Sequence, residues 1–297
     1  MKKILVLVLI SFMLVSCSLP FSINWNTPAP QTVPQGTAVQ VETPTLEVEA
    51  PTLAAPTIQV FTGTEMNLGG VYMVLPPCLA ANAAGTLIPA QPYDPAGGPM
   101  EYWPQHRSIA YPGYPLAGKF FEPELRVYPV AEFMAMNPNV VERVSGMQTL
   151  LTSQPATPDQ AIPFLPVYAA AQVFRAQVKY MNFQNGQGAR FLTEYAQYYA
   201  PVNNHDLFYT YQGLTADGKY WVSATFPINA AYLQENADAI APAGGVPAPL
   251  MTSPNYEAEM LAYFPIMINM LNATADNAFT PGLDCLDQYI QSLNISD

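Results

Sequence analysis

Between Phe174 and Phe226 the chain twice alternates apolar and polar residues with period two, and glycine-bearing turns divide the runs. Successive strand side chains point to opposite faces of a sheet, so such segments read as strands with one buried face. Phe174, Ala176, Val178 and Tyr180 make one expected inward face, with Arg175, Gln177 and Lys179 opposite. Asn185-Gly186-Gln187-Gly188 offers turn residues that accept positive φ, and residues 189–198 return as the second strand. A second pair, 207–212 and 219–226, flanks Asp217-Gly218 with Tyr220, Val222, Ala224 and Phe226 inward. Four consecutive antiparallel strands are therefore expected, with earlier strands at 70–75 and 125–130.

Helical patterns lie on either side. Asn137-Pro138 is a cap followed by proline at the first helical position, and Val140, Val141, Val144, Met147 and Leu151 follow at helical spacing. Ser253-Pro254 opens a second helix with Tyr256, Met260, Phe264, Met267 and Leu271 on its apolar side. Thr280-Pro281 opens a third, striped by Leu283, Leu286, Ile290 and Leu293. These faces read as core, which is the usual fate of methionine and aromatic stripes. The expected class is α+β, an antiparallel sheet of consecutive hairpins flanked by helices. Thirty-one prolines favour irregular connections, and 89–115 and 241–254 read as proline- and glycine-rich insertions.

Composition changes near Ile58. Residues 58–297 are long enough to bury a core as one domain. Residues 18–57 are different: from 19 to 57 there are seven prolines, seven threonines and no Lys or Arg. Such a stretch cannot repay the entropy of ordering and is expected to be a disordered Pro/Thr-rich linker. Before it, Lys2 and Lys3 precede an apolar run at 4–15 that only Ser11 interrupts. The run is shorter than the roughly 20 residues of a spanning helix and reads as a signal-peptide core.

Leu14-Val15-Ser16-Cys17 resembles the lipobox of bacterial lipoproteins. The resemblance covers the targeting segment, 1–17. It implies a diacylglyceryl group on the Cys17 thiol, removal of the peptide before it and acylation of the new amino terminus. Two or three chains, at about 0.8 kcal/mol per buried methylene, make a lasting anchor. The protein is thus expected to be exported and lipid-anchored to the bacterial cell membrane; Ser18 resembles the residues that permit onward sorting to an outer membrane where two membranes are present. An ordinary signal peptide cut elsewhere is the alternative. With Cys17 assigned to lipid, Cys78 and Cys285 remain. An oxidising compartment invites a disulfide between them, two separately buried thiols being the other possibility.

The formal net charge is −12, and the loss of Lys2 and Lys3 would leave the mature chain more acidic still. That balance argues against nucleic acid and anionic headgroups as partners, since both need clustered cations. No sequence motif assigns a catalytic residue, a cofactor or a metal. His106 and His205 lie far apart. His205-Asp206 could supply a base with a carboxylate beside it, but adjacent side chains seldom face each other, and loop hydrogen bonds are the plainer reading.

If Arg175, Gln177 and Lys179 face away from the core, they share a surface with Arg190, Glu194, Tyr198 and Trp221, able to stack on sugars or hold a protein. Alternatively, helices cover that face and the aromatics are packing. Across 69–295 the order of helix, hairpin sheet and closing helix resembles PsbP-like domains, which implies an accessory or assembly role without catalysis. Three functions stay open: an interaction domain holding an envelope protein, a glycan or small-ligand binder, and a hydrolase using dispersed acids or His205. A deep polar pocket favours the latter two, and a shallow apolar patch the first.

Overall fold

The structure, a computed structural model, describes residues 60–94 and 102–297. The signal segment, Cys17 and the linker lie outside the described residues. Seven strands make the main sheet, every neighbouring pair antiparallel. Across it the order is β3 (Ala84–Ile88), β4 (His106–Ala110), β5 (Glu124–Pro129), β11 (Tyr220–Pro227), β10 (Phe208–Thr215), β8 (Gly186–Thr193) and β7 (Ala176–Phe183). A smaller sheet joins β1 (Thr64–Leu68), β2 (Val71–Leu75) and β14 (Asn294–Ile295). Two-residue pairs complete the strands: β6 (Ala171–Gln172) with β9 (Tyr195–Ala196), and β12 (Asn229–Ala230) with β13 (Phe279–Thr280).

The four hairpin strands expected from the sequence are adjacent in the sheet. Gly218, at φ +70°, makes the second turn in a left-handed backbone conformation that other residues adopt only with strain. β8 ends at Thr193, earlier than expected, and β4 lies within the stretch read as an insertion.

Both faces of the sheet are covered, so all eight residues of β10 are buried. One core lies between the sheet and α3 (Tyr256–Ala273), α4 (Leu283–Ser292) and β2, and includes Val222, Ala224 and Phe226. The other lies beneath α1 (Val130–Met136), α2 (Pro138–Ser153) and the segment 162–167, and includes Phe191, Phe208 and Trp221. Each such aromatic or branched side chain contributes about 1.5–3 kcal/mol on burial.

A side-chain cap explains where α2 starts, whereas α1, α3 and α4 begin without one. Asn137 closes α1 through its own N–H on Phe133 O, and its side chain accepts the Asn139 N–H at 3.0 Å to open α2. Val140, Val144, Met147 and Leu151 are buried, whereas Val141 is 45 % exposed, displaced about 100° around the helix from that stripe. α3 begins at Tyr256, two residues after Pro254, and runs through Pro265. Leu283, Leu286, Ile290 and Leu293 are wholly buried, as the stripe requires.

The first expected inward face is only half right. The register shifts between Ala176 and Lys179, and Gln177 sits there at φ +53°. This extra residue inverts the alternation. Phe174, Ala176, Met181 and Phe183 belong to the first core, but Val178 and Tyr180 pack against the second. The left-handed backbone, costing about 1–3 kcal/mol, is held by the end of α3. Asn272 Oδ1 accepts the Gln177 N–H at 2.6 Å, and Gln177 Nε2 donates to Leu271 O and Thr274 O, both at 2.8 Å.

Cys78 and Cys285 form a disulfide that ties the segment after β2 to α4, with Cα atoms 6.4 Å apart. It spans 207 residues, for which chain entropy gives a stabilisation of roughly 5 kcal/mol.

Candidate functional site

Of the two readings of the hairpin face, the structure has the covered one. Arg190 is 2 % exposed and lies between the sheet and α4. Its Nε and Nη2 meet the two oxygens of Asp287, each at 3.2 Å, and its Nη1 donates to Gln177 O at 2.7 Å. Lys179 Nζ reaches Asp287 at 2.8 Å and the Tyr209 hydroxyl donates to it at 3.1 Å. Burial opposes the Arg190 charge, but Asp287 beside it keeps the guanidinium pKa above its ordinary value. Gln177, Lys179 and Arg190 are therefore together, in a seam that fastens α4.

The other four lie elsewhere. Trp221 is fully buried on the opposite face, donating to Gln212 Oε1 at 2.8 Å. Glu194 is buried, accepting the Asn203 N–H at 2.8 Å, and burial pushes its pKa well up. Arg175 is half-buried near Asp159, and Tyr198 is 51 % exposed.

His205 and Asp206 do meet, contrary to expectation: Nδ1 and Oδ1 are 2.7 Å apart. Asn203 Oδ1 curls the turn by accepting both of their N–H groups, at 2.9 and 3.0 Å. His106 is buried, with Nδ1 2.9 Å from Pro104 O, and burial lowers its pKa. Among the described residues no group of three or more His, Cys, Asp or Glu side chains is arranged to hold a metal ion.

A different cleft gathers polar groups. Along β5, Leu125 and Val127 face the first core, which turns Glu124, Arg126 and Tyr128 to the other face. There the segment around Leu165 is docked on the sheet, its N–H on Gln212 Oε1 at 3.1 Å and its carbonyl accepting Ser223 Oγ at 2.5 Å. Just past that anchor, Pro166 and Tyr168 stand over β5. Two adjoining lobes of about 160 and 260 Å³ share Glu124, Arg126, Pro166 and Tyr168 as walls. Phe121 closes one lobe, and Trp103 with His106 closes the other.

The pair at the centre is held rigidly. Arg126 Nη2 lies 2.6 Å from Glu124 Oε2, Ser108 Oγ donates to Glu124 Oε1 at 2.6 Å, and Arg126 Nη1 donates to the Tyr128 hydroxyl at 3.3 Å. Burial opposes the Arg126 charge, yet Tyr128 and Glu124 keep its pKa above the ordinary arginine value. Burial pushes Tyr128 up to about 12, so it stays a phenol at neutral pH. The Trp103 indole N–H is buried with no hydrogen-bond partner among the described residues. The cleft thus offers a carboxylate and a guanidinium between aromatic walls.

The signal for this site was in the sequence, in the alternation Glu124-Leu125-Arg126-Val127-Tyr128, which places a charged pair on one strand face. What covers that face was not. No protein-family model, no curated protein and no solved structure gives a significant match to the chain. Among the described residues no helix is long and apolar enough to cross a membrane.

Proposed function

We propose that this chain is an exported bacterial lipoprotein, anchored through lipid on Cys17, whose domain is non-catalytic and binds a small oxygen-rich ligand of the glycan class in the Glu124–Arg126 cleft. The observation that carries the ligand reading is the braced Glu124–Arg126 pair set between aromatic rings. A sugar presents apolar C–H faces that stack on aromatic rings and hydroxyls that both donate and accept. Glu124 supplies acceptors, while Arg126 supplies donors. Because Ser108 and Tyr128 already hold the pair, little ordering is left to oppose binding. The lipobox resemblance supports the anchor, and the PsbP-like element order supports a role without catalysis.

Calorimetric titration of the full chain with neutral hexose and N-acetylhexosamine oligosaccharides tests the ligand. Saturable binding that weakens by about 1.5–3 kcal/mol in Arg126→Gln is expected, since a hydrogen bond to a charged group is lost. Equal affinity in the variant, or no heat with any of the sugars, removes the glycan reading. For the anchor, Cys17→Ala should abolish fatty-acid labelling and membrane fractionation, and persistent attachment in that variant refutes it.

A further inference from the structure

The two edges of the main sheet are built differently. β7 has features that resist strand addition: the bulge at Gln177 and the charge of Lys179. β3 has none. Ala84-Gly85-Thr86-Leu87-Ile88 carries no charge, proline or bulge, and its first four residues are exposed, Leu87 by 57 %.

The ladder shows which groups are open. Gln91 and Trp103 exchange both backbone bonds, at 2.8 and 3.0 Å, in the register that also pairs β3 with β4. Bonded and non-bonded pairs alternate along an antiparallel ladder, so Leu87 and Gly85 bond to β4. Ala84, Thr86 and Ile88 then direct their N–H and C=O groups outward, and among the described residues β3 pairs with β4 alone.

Beside this edge opens a cleft of about 680 Å³. Gly85 and Leu87 line one side, and Leu68 and Gly69 line another. Three further charged side chains line it. Arg107 is engaged by Gly69 O at 2.9 Å, Ser296 O at 2.7 Å and the Tyr220 ring at 4.6 Å. Asp297 is engaged by Lys219 at 3.1 Å. Glu132 is exposed and pairs with no cation among the described residues.

We propose that β3 is a docking edge for an extended segment of another protein, which adds to the sheet as an eighth strand and places a lysine or arginine against Glu132. The open N–H and C=O groups supply main-chain affinity, and the cleft takes alternate side chains of the added strand. Its charge follows from the uncompensated Glu132 and from a chain of net charge −12. His106 lines both this cleft and the Glu124–Arg126 cleft, and Ile88 of β3 lines the latter, but the open strand edge does not depend on the ligand reading.

The test uses the full chain in mild detergent and a fluorescein-labelled peptide of alternating valine and threonine with one lysine, read by anisotropy. Saturable binding is expected. Thr86→Pro, which deletes an outward N–H that β4 does not use, should weaken it about tenfold. Thr86→Ser should leave it unchanged, and Glu132→Gln should weaken it. Leu87→Lys, which places a charged chain in the cleft, replaces the proline variant should that perturb the near-ultraviolet dichroism. Amide exchange at Ala84, Thr86 and Ile88 should be fast in the free protein and slowed by the peptide.

The proposal fails if binding does not saturate, if neither Thr86→Pro nor Leu87→Lys weakens it, or if those amides are already protected. It fails equally if the chain is a dimer that Thr86→Pro dissociates, since a second copy would then own the edge.

Discussion

Replacing Asp287 by Asn keeps the side chain's shape and removes its charge. Asp287 is 4 % exposed and takes both forks of Arg190, the Lys179 ammonium and the Tyr209 hydroxyl. Lys179 is half exposed and can turn to water. Arg190 cannot; it keeps Gln177 at 2.7 Å and the partly exposed Asp276 at 3.4 Å. Breaking a buried pair costs about 3–5 kcal/mol, and the surviving partners place this case near the lower end, about 3 kcal/mol. For a domain of this size that corresponds to a fall of roughly 10 °C in Tm. Thermal and urea unfolding of the oxidised chain, followed by circular dichroism, measures it. The reasoning also requires that Arg190→Met with Asp287→Leu recover most of the loss, because no uncompensated charge then stays buried. A single-variant loss under about 1 kcal/mol, or a double variant no better than the single, would refute it.

Glu194 has a pKa raised by burial, so its contribution is complete below the unfolded-state value, near pH 4, and is lost as pH rises toward the folded-state pKa. Glu194→Gln should match the wild type in urea unfolding at about pH 4 and exceed it increasingly as pH rises above that; a gap independent of pH would count against the buried acid. Cys78→Ser with Cys285→Ser should lower stability by roughly 5 kcal/mol, less any residual order in the unfolded chain. Non-reducing peptide mapping of the wild type should recover the linked pair; two free thiols would contradict it.

What the sequence disclosed was local. Alternation with glycine turns specifies a hairpin within a dozen residues, so β7, β8, β10 and β11 were legible. The same holds for α2 and α4, whose apolar stripes repeat within a few turns. The failures share a long-range cause. The conformation of Gln177 is held by Asn272 and Thr274, which are distant in sequence, and the face of Val178 and Tyr180 follows from it. Arg190 is buried because Asp287 neutralises it from 97 residues away. Alternation says which residues of a strand share a face, but not what covers that face. For the same reason the charged row of β5 was visible as a pattern, while its cleft depended on how the Leu165 segment docks.

The cross-link between Cys78 and Cys285 also decides how the domain carries load. It makes one covalent ring of everything between those residues, including all seven strands of the main sheet. Tension applied at the two ends of the described domain can extend only the segments outside the ring, 60–77 and 286–297. Those can lengthen to on the order of 100 Å, against about 800 Å for the chain without the bond. Pulled at its ends, the domain can lose β1, β2 and β14, while its main sheet lies off the line of force.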